Sequence, residues 1–551
     1  MDVVMVGLPG SGKSVVGRRL AGRHGASFVD LDERIESASG RSIPEIFEAD
    51  GESAFRDLER AAIASLGPAD PAPDVRRVIS TGGGTIVDPR NRWSLFRGRR
   101  SVWLDGRPEV LAQRLRRSPR VRPLVTSRDP IGTIRDLGAK RERFYAAADV
   151  HQSGISEVPG VVDAVQEHIA GLDYLADTTT LLRAATSIGR IVLGDGIGAR
   201  TVAGELARLG ALRATIVSEP GAWAAHGESF ADDLRAGGLE IVHVLLPEGE
   251  AAKHMAVIEA AARDLAALGV ERDDVIVAVG GGALGDAAGF LAAIYLRGIR
   301  VIHVPTTLVA QIDSSIGGKT GVDLPDGKNL IGAFHQPTAI VIDLRYLGTL
   351  PERHRRAALG EAIKMAALGD SRLFDLLETD GAAIAGAEAH VFERGVLAEV
   401  VERAAWAKVE VVTADERERG AAAGRITLNL GHTLGHAFEA AAGYNDLLHG
   451  EAVAYGLRAA IRIGLEVGVT PRERAERLDH LLDAVGLAIE PLPYSLEAVM
   501  GHLTTDKKRV AGRQRWVLPT ADGVVVRDDV DPETVERAAA SLLLRPTASV
   551  R

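Results

Sequence analysis

Gly7-Leu8-Pro9-Gly10-Ser11-Gly12-Lys13-Ser14 follows the short apolar run Val3 to Val6 and precedes Val15-Val16-Gly17-Arg18-Arg19-Leu20. The order predicts a strand, a phosphate-binding loop and a helix. Gly10, Ser11 and Gly12 let the backbone curl so that its N–H groups face phosphate oxygens. Lys13 reaches the β- and γ-phosphates, the Ser14 hydroxyl serves Mg²⁺, and the following helix aims its N-terminal dipole at the anion. The chain is therefore expected to open with a nucleotide-dependent phosphotransferase or hydrolase. Because the strand starts at residue 3, no signal or transit peptide is expected.

Working outward, 551 residues are too many for one core and suggest roughly three or four domains. A hydrophobic content of 46% with 25% charged residues describes ordinary globular material. The net charge of -10 argues against nucleic-acid binding, which works through basic surfaces. With no cysteine there are no disulfides and no thiolate metal sites, so any metal must be held by His, Asp, Glu or water. No apolar stretch approaches the roughly 20 residues that cross a bilayer. A soluble, cytoplasmic protein is expected.

The expected fold class is α/β with a helical C-terminal region. Helix- and strand-like segments alternate over residues 1–171, closing with a helix over Val158 to Leu172. Residues 172–186 read as a linker. A second α/β pattern occupies 187–345, opening with a strand at Arg190 to Gly194. Residues 346–551 form a mostly helical third region, rich in Ala, Leu and Glu at helical spacing. Arg114 to Arg122 carries five arginines, read either as a solvated loop or as a lid over anions.

Three features accompany the phosphate loop. Phe28-Val29-Asp30-Leu31-Asp32 is read as a strand end with two carboxylates on one face, one for Mg²⁺ and one for a substrate hydroxyl. Val78 to Ser80 runs into Thr81-Gly82-Gly83-Gly84, where backbone can approach a ligand. Arg56, Arg122 and Arg141 could clamp a carboxylate or a phosphoryl group bidentately. With Gly51-Glu52-x3-Arg56, Arg122-Pro123-Leu124 and Lys140-Arg141, this set resembles the shikimate kinase family over residues 1–171. The resemblance implies ATP with Mg²⁺, with Ser14 and Asp30 at the metal and Lys13 at the phosphates. It gives Asp32, Arg56, Gly83 and Arg141 to shikimate, Asp32 lying beside the attacking hydroxyl. Arg122 becomes the lid arginine. Val15 stands where the family often has Thr, and Ser153 to Pro159 lacks an arginine that some members place near adenine.

In the second region the strand Asp274 to Val279 leads into Gly280-Gly281-Gly282-Ala283-Leu284-Gly285-Asp286, which meets the G-x-G-x-x-G spacing of a dinucleotide loop. Glu219, after the apolar run Ala214 to Val217, is a candidate for a ribose hydroxyl. Pro305-Thr306-Thr307, Asp313 to Thr320 and Gly327-Lys328-Asn329 gather small residues, an aspartate and two lysines. The lysines in weakly charged surroundings point to a phosphorylated or carboxylated ligand. Asn429, His432 and His436 fall at i, i+3 and i+7 and are expected on one helix face, with His449 nearby and Glu361 one turn from Lys364. Two or three of these residues are candidate zinc ligands. Thr433 stands where the zinc-protease pattern needs Glu, so that class is excluded.

Taken with Pro247-x-Gly249-Glu250-x2-Lys253, Glu361-x2-Lys364, His449-Gly450-Glu451 and Asp506-Lys507-Lys508, these strings make residues 188–540 resemble the 3-dehydroquinate synthase family. The resemblance implies conversion of 3-deoxy-arabino-heptulosonate 7-phosphate to 3-dehydroquinate and phosphate, by NAD⁺ oxidation at C5, elimination, return of the hydride and ring closure. It gives Zn²⁺ (or Co²⁺) to Glu361, His432 and His449, and the substrate's phosphate end to His436. Glu250, Lys253, Gly280, Gly281, Gly282, Asp286, Thr306 and Thr307 become NAD contacts. Asp313, Lys319, Lys364, Lys408, Arg425 and Asn429 become the substrate set. Arg297, Lys328 and Asn329 lie near phosphate or carboxylate, and Lys507 and Lys508 near the substrate.

The two resemblances together imply a bifunctional enzyme of aromatic amino-acid biosynthesis, paired as a homodimer through its synthase regions. The two reactions are not consecutive, since a dehydration and a reduction intervene. Fusion therefore coordinates dosage rather than passing product from site to site. The rival readings are another sugar-phosphate cyclase, and an N-terminal region that senses nucleotide without phosphorylating.

Overall fold

The computed structural model describes residues 1–70, 72–117, 129–154, 157–170, 184–185, 190–324, 327–393, 395–415, 417, 424–443, 446–504, 509–510 and 513–544. Arg122, Lys507 and Lys508, the expected linker apart from 184–185, and the arginine-rich stretch beyond 117 lie outside them. The chain divides into two compact units, Met1–Gly204 and Glu205–Arg551.

In the first unit five parallel strands are ordered Ser27–Asp30, Arg77–Ser80, Asp2–Val6, Arg100–Asp105, Val150–Ser153. The central strand is buried on both faces, which is why Val3 to Val6 reads as an unbroken apolar run. Val4 and Val6 pack with Ile46, Phe55 and Ile134, and Val3 and Met5 with Val16, Leu20 and Val165. Each such side chain contributes roughly 1.5–3 kcal/mol on burial. This strand delivers Gly7 to the carboxyl edge of the sheet, where ligands of open α/β sheets bind, and the helix Lys13–His24 leaves from there. The closing helix forms over Val158–Ala170.

In the second unit five parallel strands run in the order Ala339–Asp343, Arg300–Pro305, Val275–Gly280, Arg213–Ser218, Glu240–Leu245. The antiparallel hairpin Lys319–Leu324 with Gly327–Phe334 follows, and from Glu352 the unit becomes mostly helical. The helix Glu352–Ala367 is buried almost continuously from Ala357 to Ala367. A helix buried all round has no solvent for its charged residues, so Glu361 and Lys364 must be satisfied internally. It crosses His449–Glu466 at very short range. A Cβ on Gly450 would stand 1.9 Å from the Ala357 carbonyl oxygen, and one on Gly360 would stand 2.4 Å from the Gly450 carbonyl. Only glycine at both positions lets these backbones touch, and that contact brings His449 to Glu361. Among the described residues no helix is long and apolar enough to cross a membrane.

Candidate active sites

At the carboxyl edge of the first sheet, Lys13 Nζ donates to the carbonyls of Gly7 (2.8 Å) and Leu8 (3.0 Å), so its ammonium lies within the phosphate loop. Ser14 Oγ donates to Asp30 Oδ2 at 2.6 Å. The other Asp30 oxygen caps the helix Leu31–Ser39, accepting from the N–H groups of Asp32 and Glu33. The expected strand end with two carboxylates on one face is thus corrected. The strand stops at Asp30, and Asp32 sits in the first helical turn, because an Asp that can cap ends the strand there. Asp32 nonetheless faces the glycine triplet, since a Cβ on Gly82 would meet its Oδ1 at 2.9 Å.

The same triplet collects both described arginines. A Cβ on Gly84 would stand 3.1 Å from an Arg56 nitrogen and 3.6 Å from one of Arg141, while one on Gly83 would meet Pro9 of the phosphate loop at 2.7 Å. Arg141 donates to the Gly83 carbonyl at 2.8 Å. Arg56 is held by Glu52 and Glu59. Glu59 is itself 1% exposed and accepts from Thr85 and Asn91. Glu59 was missed in the sequence, although its i+3 spacing from Arg56 marks it as a partner. Asp32, Arg56, Arg141 and the phosphate loop therefore meet around Gly82 to Gly84, two cations and one carboxylate facing a loop built for phosphate.

In the second unit the glycine loop lies between the strand Val275–Gly280 and the helix Gly282–Ile294, as the spacing predicts. Glu219 ties it down, accepting from Gly281 N–H (3.1 Å) and Gly249 N–H (3.0 Å). Thr306 N–H donates to the Gly280 carbonyl, and Thr307 borders Gly281. A Cβ on Gly282 would stand 2.7 Å from Ser314 Oγ, a buried hydroxyl with no hydrogen-bond partner. An orphaned hydroxyl beside a glycine loop at a helix N-terminus fits a dinucleotide pyrophosphate. Ser314 was not singled out in the sequence, because nothing local marks one serine of a Ser-Ser pair.

Charged side chains then run continuously from this loop into the helices. Lys253 pairs with Asp286 at 2.9 Å and donates to Asn329 Oδ1 at 2.6 Å. Lys328 reaches Glu250 (3.3 Å) and Glu439 (2.9 Å). Glu439 meets His449 Nδ1 at 3.1 Å, and His449 Nε2 lies 3.2 Å from Glu361 Oε1. His432 Nε2 approaches the same Glu361 oxygen at 3.3 Å. Lys364 pairs with Glu361 and stands 3.7 Å from Asp313, which accepts from Lys408 at 2.6 Å.

Burial and the Lys364 charge push the His432 pKa down to about 4, so its imidazole is neutral and can offer a lone pair. Its Nδ1 lies 3.1 Å from the Leu430 carbonyl, which fixes the proton there and leaves Nε2 for Glu361's side. Burial works against a charged His449, yet Glu361 and Glu439 carry it up to about 10 when no cation stands between them. Burial lowers Lys408, partly offset by Asp313, whereas Glu361 and Asp313 overcome burial and raise Lys364. Both Glu361 oxygens are buried without a well-formed hydrogen bond. Ligating nitrogens of His432, His436 and His449 lie within 4.8 Å of one another. A buried carboxylate with the Nε2 atoms of His432 and His449 brought to one of its oxygens fits a divalent cation.

The expected helix face through Asn429, His432 and His436 is corrected. Asn429 ends a separate 3-10 turn, Gly431 at φ 76° breaks the backbone, and the helix starts at His432. Asn429 instead borders a small cleft with Trp516 and Gly456. Arg425 is buried, donating to the Gly317 carbonyl at 3.2 Å. Lys319 opens the hairpin on an exposed edge. Arg297 lies on the exposed turn beyond the C-terminus of the helix Gly282–Ile294 and makes no hydrogen bond or ion pair among the described residues. The structure thus leaves Arg297 outside the charged network.

The two sites define a P-loop unit of kinase type joined to an α/β unit whose dinucleotide-type loop leads to a histidine–carboxylate centre built on the buried Glu361. Residues 9–170 match the family model for shikimate kinase, 243–357 that for the 3-dehydroquinate synthase N-terminal domain, and 358–509 that for its C-terminal domain. The 3-dehydroquinate synthase of Synechococcus sp. (strain CC9605) is 44% identical over 326 residues, 59% of this chain and 86% of that protein. That of Paracoccus denitrificans (strain Pd 1222) is 41% identical over 355 residues, 63% of this chain and 94% of that protein. Among solved structures, 2-epi-5-epi-valiolone synthase from Streptomyces hygroscopicus subsp. jinggangensis 5008, with NAD⁺ and Zn²⁺ bound, aligns at a TM-score of 0.58 and 28% identity, over 64% of this chain and 96% of that one. A 2-deoxy-scyllo-inosose synthase complexed with carbaglucose-6-phosphate, NAD⁺ and Co²⁺ aligns at 0.57 and 26%, over 64% and 97%. The chain belongs to the 3-dehydroquinate synthase family and carries a shikimate kinase domain ahead of it, two enzymes of the shikimate pathway in one polypeptide.

Proposed function

We propose that the residues gathered at the two sites divide the chemistry as follows. In the kinase unit Lys13 exchanges its loop carbonyl partners for ATP phosphate oxygens. Asp32 accepts the proton of the attacking shikimate hydroxyl. Arg56, Arg141 and the Gly83 backbone hold the carboxylate and remaining hydroxyls. Ser14 and Asp30, already hydrogen-bonded to each other, would hold Mg²⁺, which would supply positive charge beside the phosphates. The family resemblance gives Arg122 to the ATP phosphates.

In the synthase unit Glu361, His432 and His449 hold Zn²⁺ (or Co²⁺), and the loop Gly280 to Gly282 with Glu219, Glu250, Lys253, Asp286, Thr306, Thr307 and Lys328 holds NAD⁺. When bound, NAD⁺ would supply reversible hydride chemistry at C5 and the metal Lewis-acid polarisation of the oxygen on that carbon. Lys364 and Lys408, two buried ammonium groups around Asp313, pull the acidic substrate's oxygens inward. Lys319, Asn329, Arg425 and His436 bind its carboxylate and phosphate, with Asn429, Lys507 and Lys508 completing the substrate set. The family resemblance supports a homodimer through the synthase units, and the absence of cysteine suits a cytoplasmic setting.

The observation that carries the synthase reading is the unbroken run of paired charges from Asp286 to Lys408. Mass spectrometry of one mixture tests both halves, using full-length protein, Zn²⁺, Mg²⁺, NAD⁺, ATP, the heptulosonate phosphate and shikimate. Both 3-dehydroquinate and shikimate 3-phosphate are expected. Dehydroquinate alone would make the P-loop unit regulatory; shikimate 3-phosphate alone would assign the second unit to another cyclase substrate.

A further inference from the structure

Glu439 occupies a position that the division of roles above does not use. It lies seven residues after His432 on the helix His432–Ala441 and so returns to the same face after two turns. A carboxylate that is 5% exposed in a helix needs partners for both oxygens. Glu439 has two. Its Oε2 lies 3.1 Å from His449 Nδ1, and its Oε1 accepts from Lys328 Nζ at 2.9 Å.

The geometry fixes what this carboxylate does to His449. The ring's Nε2 faces Glu361 Oε1 at 3.2 Å, the side where Nε2 of His432 also arrives. For Nε2 to present a lone pair there, Nδ1 must carry the proton, and Glu439 is the acceptor placed to receive it. A carboxylate in that position selects the tautomer, locks the ring plane and makes the ligating nitrogen more basic. Lys328 comes from a different part of the unit. It lies on the hairpin strand Gly327–Phe334, whose neighbouring Asn329 is bound by Lys253, itself paired with Asp286 on the helix that follows the glycine loop. The second oxygen of Glu439 is thus held by the cofactor side of the site.

We infer that Glu439 is a positioning residue for the metal centre, orienting His449 through its Nδ1–H, and that Lys328 secures Glu439 so that metal affinity depends on the hairpin bearing Gly327-Lys328-Asn329. The inference rests on His449 being a metal ligand. Lys328 acts on the metal only through Glu439, so the two substitutions must not add.

The test is zinc affinity of the full-length apoprotein, measured by chelator competition without NAD⁺ or substrate. The variants are His449→Ala, Glu439→Gln, Lys328→Met and the Glu439→Gln/Lys328→Met double. Replacing the Glu439 carboxylate by a neutral amide, whose oxygen can still accept from Nδ1–H but no longer makes the ring more basic, raises the zinc Kd by about 10–100-fold. Lys328→Met raises it by a smaller factor, and the double variant matches Glu439→Gln alone. Unchanged affinity in His449→Ala overturns the ligand assignment beneath the inference. If His449→Ala loses zinc while Glu439→Gln binds within about twofold of wild type, the ligand assignment stands and the positioning role fails. Additive losses in the double variant overturn the route through Lys328. Near-UV circular dichroism checks folding; should Glu439→Gln not fold, Lys328→Met decides alone, and a Kd within about twofold of wild type overturns the inference.

Discussion

Gly450 and Ala357 touch backbone to backbone: a methyl group on Gly450 would sit 1.9 Å from the Ala357 carbonyl oxygen. A contact that short cannot be relieved by a side-chain rotation, so Gly450→Ala must push the helix His449–Glu466 away from Glu352–Ala367. The displaced residue next door is His449, and its partner across the gap is Glu361. Overpacking of this kind costs about 1–3 kcal/mol or more. The expected result is a lower melting temperature for the synthase unit and a weakened zinc affinity, with shikimate phosphorylation retained. Calorimetry and metal titration of the purified variant check it, and wild-type zinc affinity would show that the helix crossing does not set the metal geometry.

Asp32 faces Gly82 at the point where Arg56 and Arg141 meet the glycine triplet. If it receives the proton of the attacking hydroxyl, Asp32→Asn removes the acceptor while preserving shape. Shikimate kinase turnover is expected to fall by about 10²–10⁴-fold, with dehydroquinate formation unchanged. Parallel assays on one preparation make the comparison internal, since any general loss of folded protein would lower both rates. Undiminished kinase turnover would remove Asp32 from its role.

Much of this was legible in the sequence because the features are local. The phosphate loop, the glycine spacing from Gly280 to Gly285 and the Glu361–Lys364 pair each lie within one element or one turn, so spacing alone places them. The boundaries misread were decided by caps rather than periodicity: Asp30 stops a strand by capping a helix, and Gly431 at φ 76° separates Asn429 from His432. Glu439 and Ser314 were missed for a different reason. Each acts through partners brought together by packing, as Lys328 and Glu439 are across 111 positions of sequence. No spacing rule reaches that far.

His303 supplies a pH dependence away from the metal centre. Its ring is buried against Gly285 and Gly289 of the helix Gly282–Ile294. Burial, with a smaller contribution from His335, pushes its pKa down to about 4. In the unfolded chain it titrates near 6.5. Between these values the unfolded state binds the proton and the folded state does not, so stability is full above pH 6.5 and declines as pH falls toward 4. The difference amounts to about 3 kcal/mol at the bottom of that window. Calorimetry of the synthase transition from pH 7.5 to 5 should show this decline, and His303→Gln should flatten it. An equal slope in the variant would assign the acid sensitivity to other groups.

His436 and His449 separate two readings of the metal site. Spacing alone pairs His432 with His436 as chelators four residues apart, and one ring nitrogen from each of the three histidines lies within 4.8 Å of the others. The carboxylate decides between them, because Glu361 Oε1 stands 3.3 Å from His432 Nε2 and 3.2 Å from His449 Nε2. His436 is on the exposed side of its helix. His436→Ala should therefore keep one zinc per chain while raising KM for the heptulosonate phosphate, and His449→Ala should lose zinc and cyclase activity together. Elemental analysis after dialysis reads the metal, and initial rates at saturating zinc read the substrate term. Zinc lost from His436→Ala and retained by His449→Ala would reverse the assignment and move the metal toward the helix His432–Ala441, leaving Glu361 as a partner for Lys364 only.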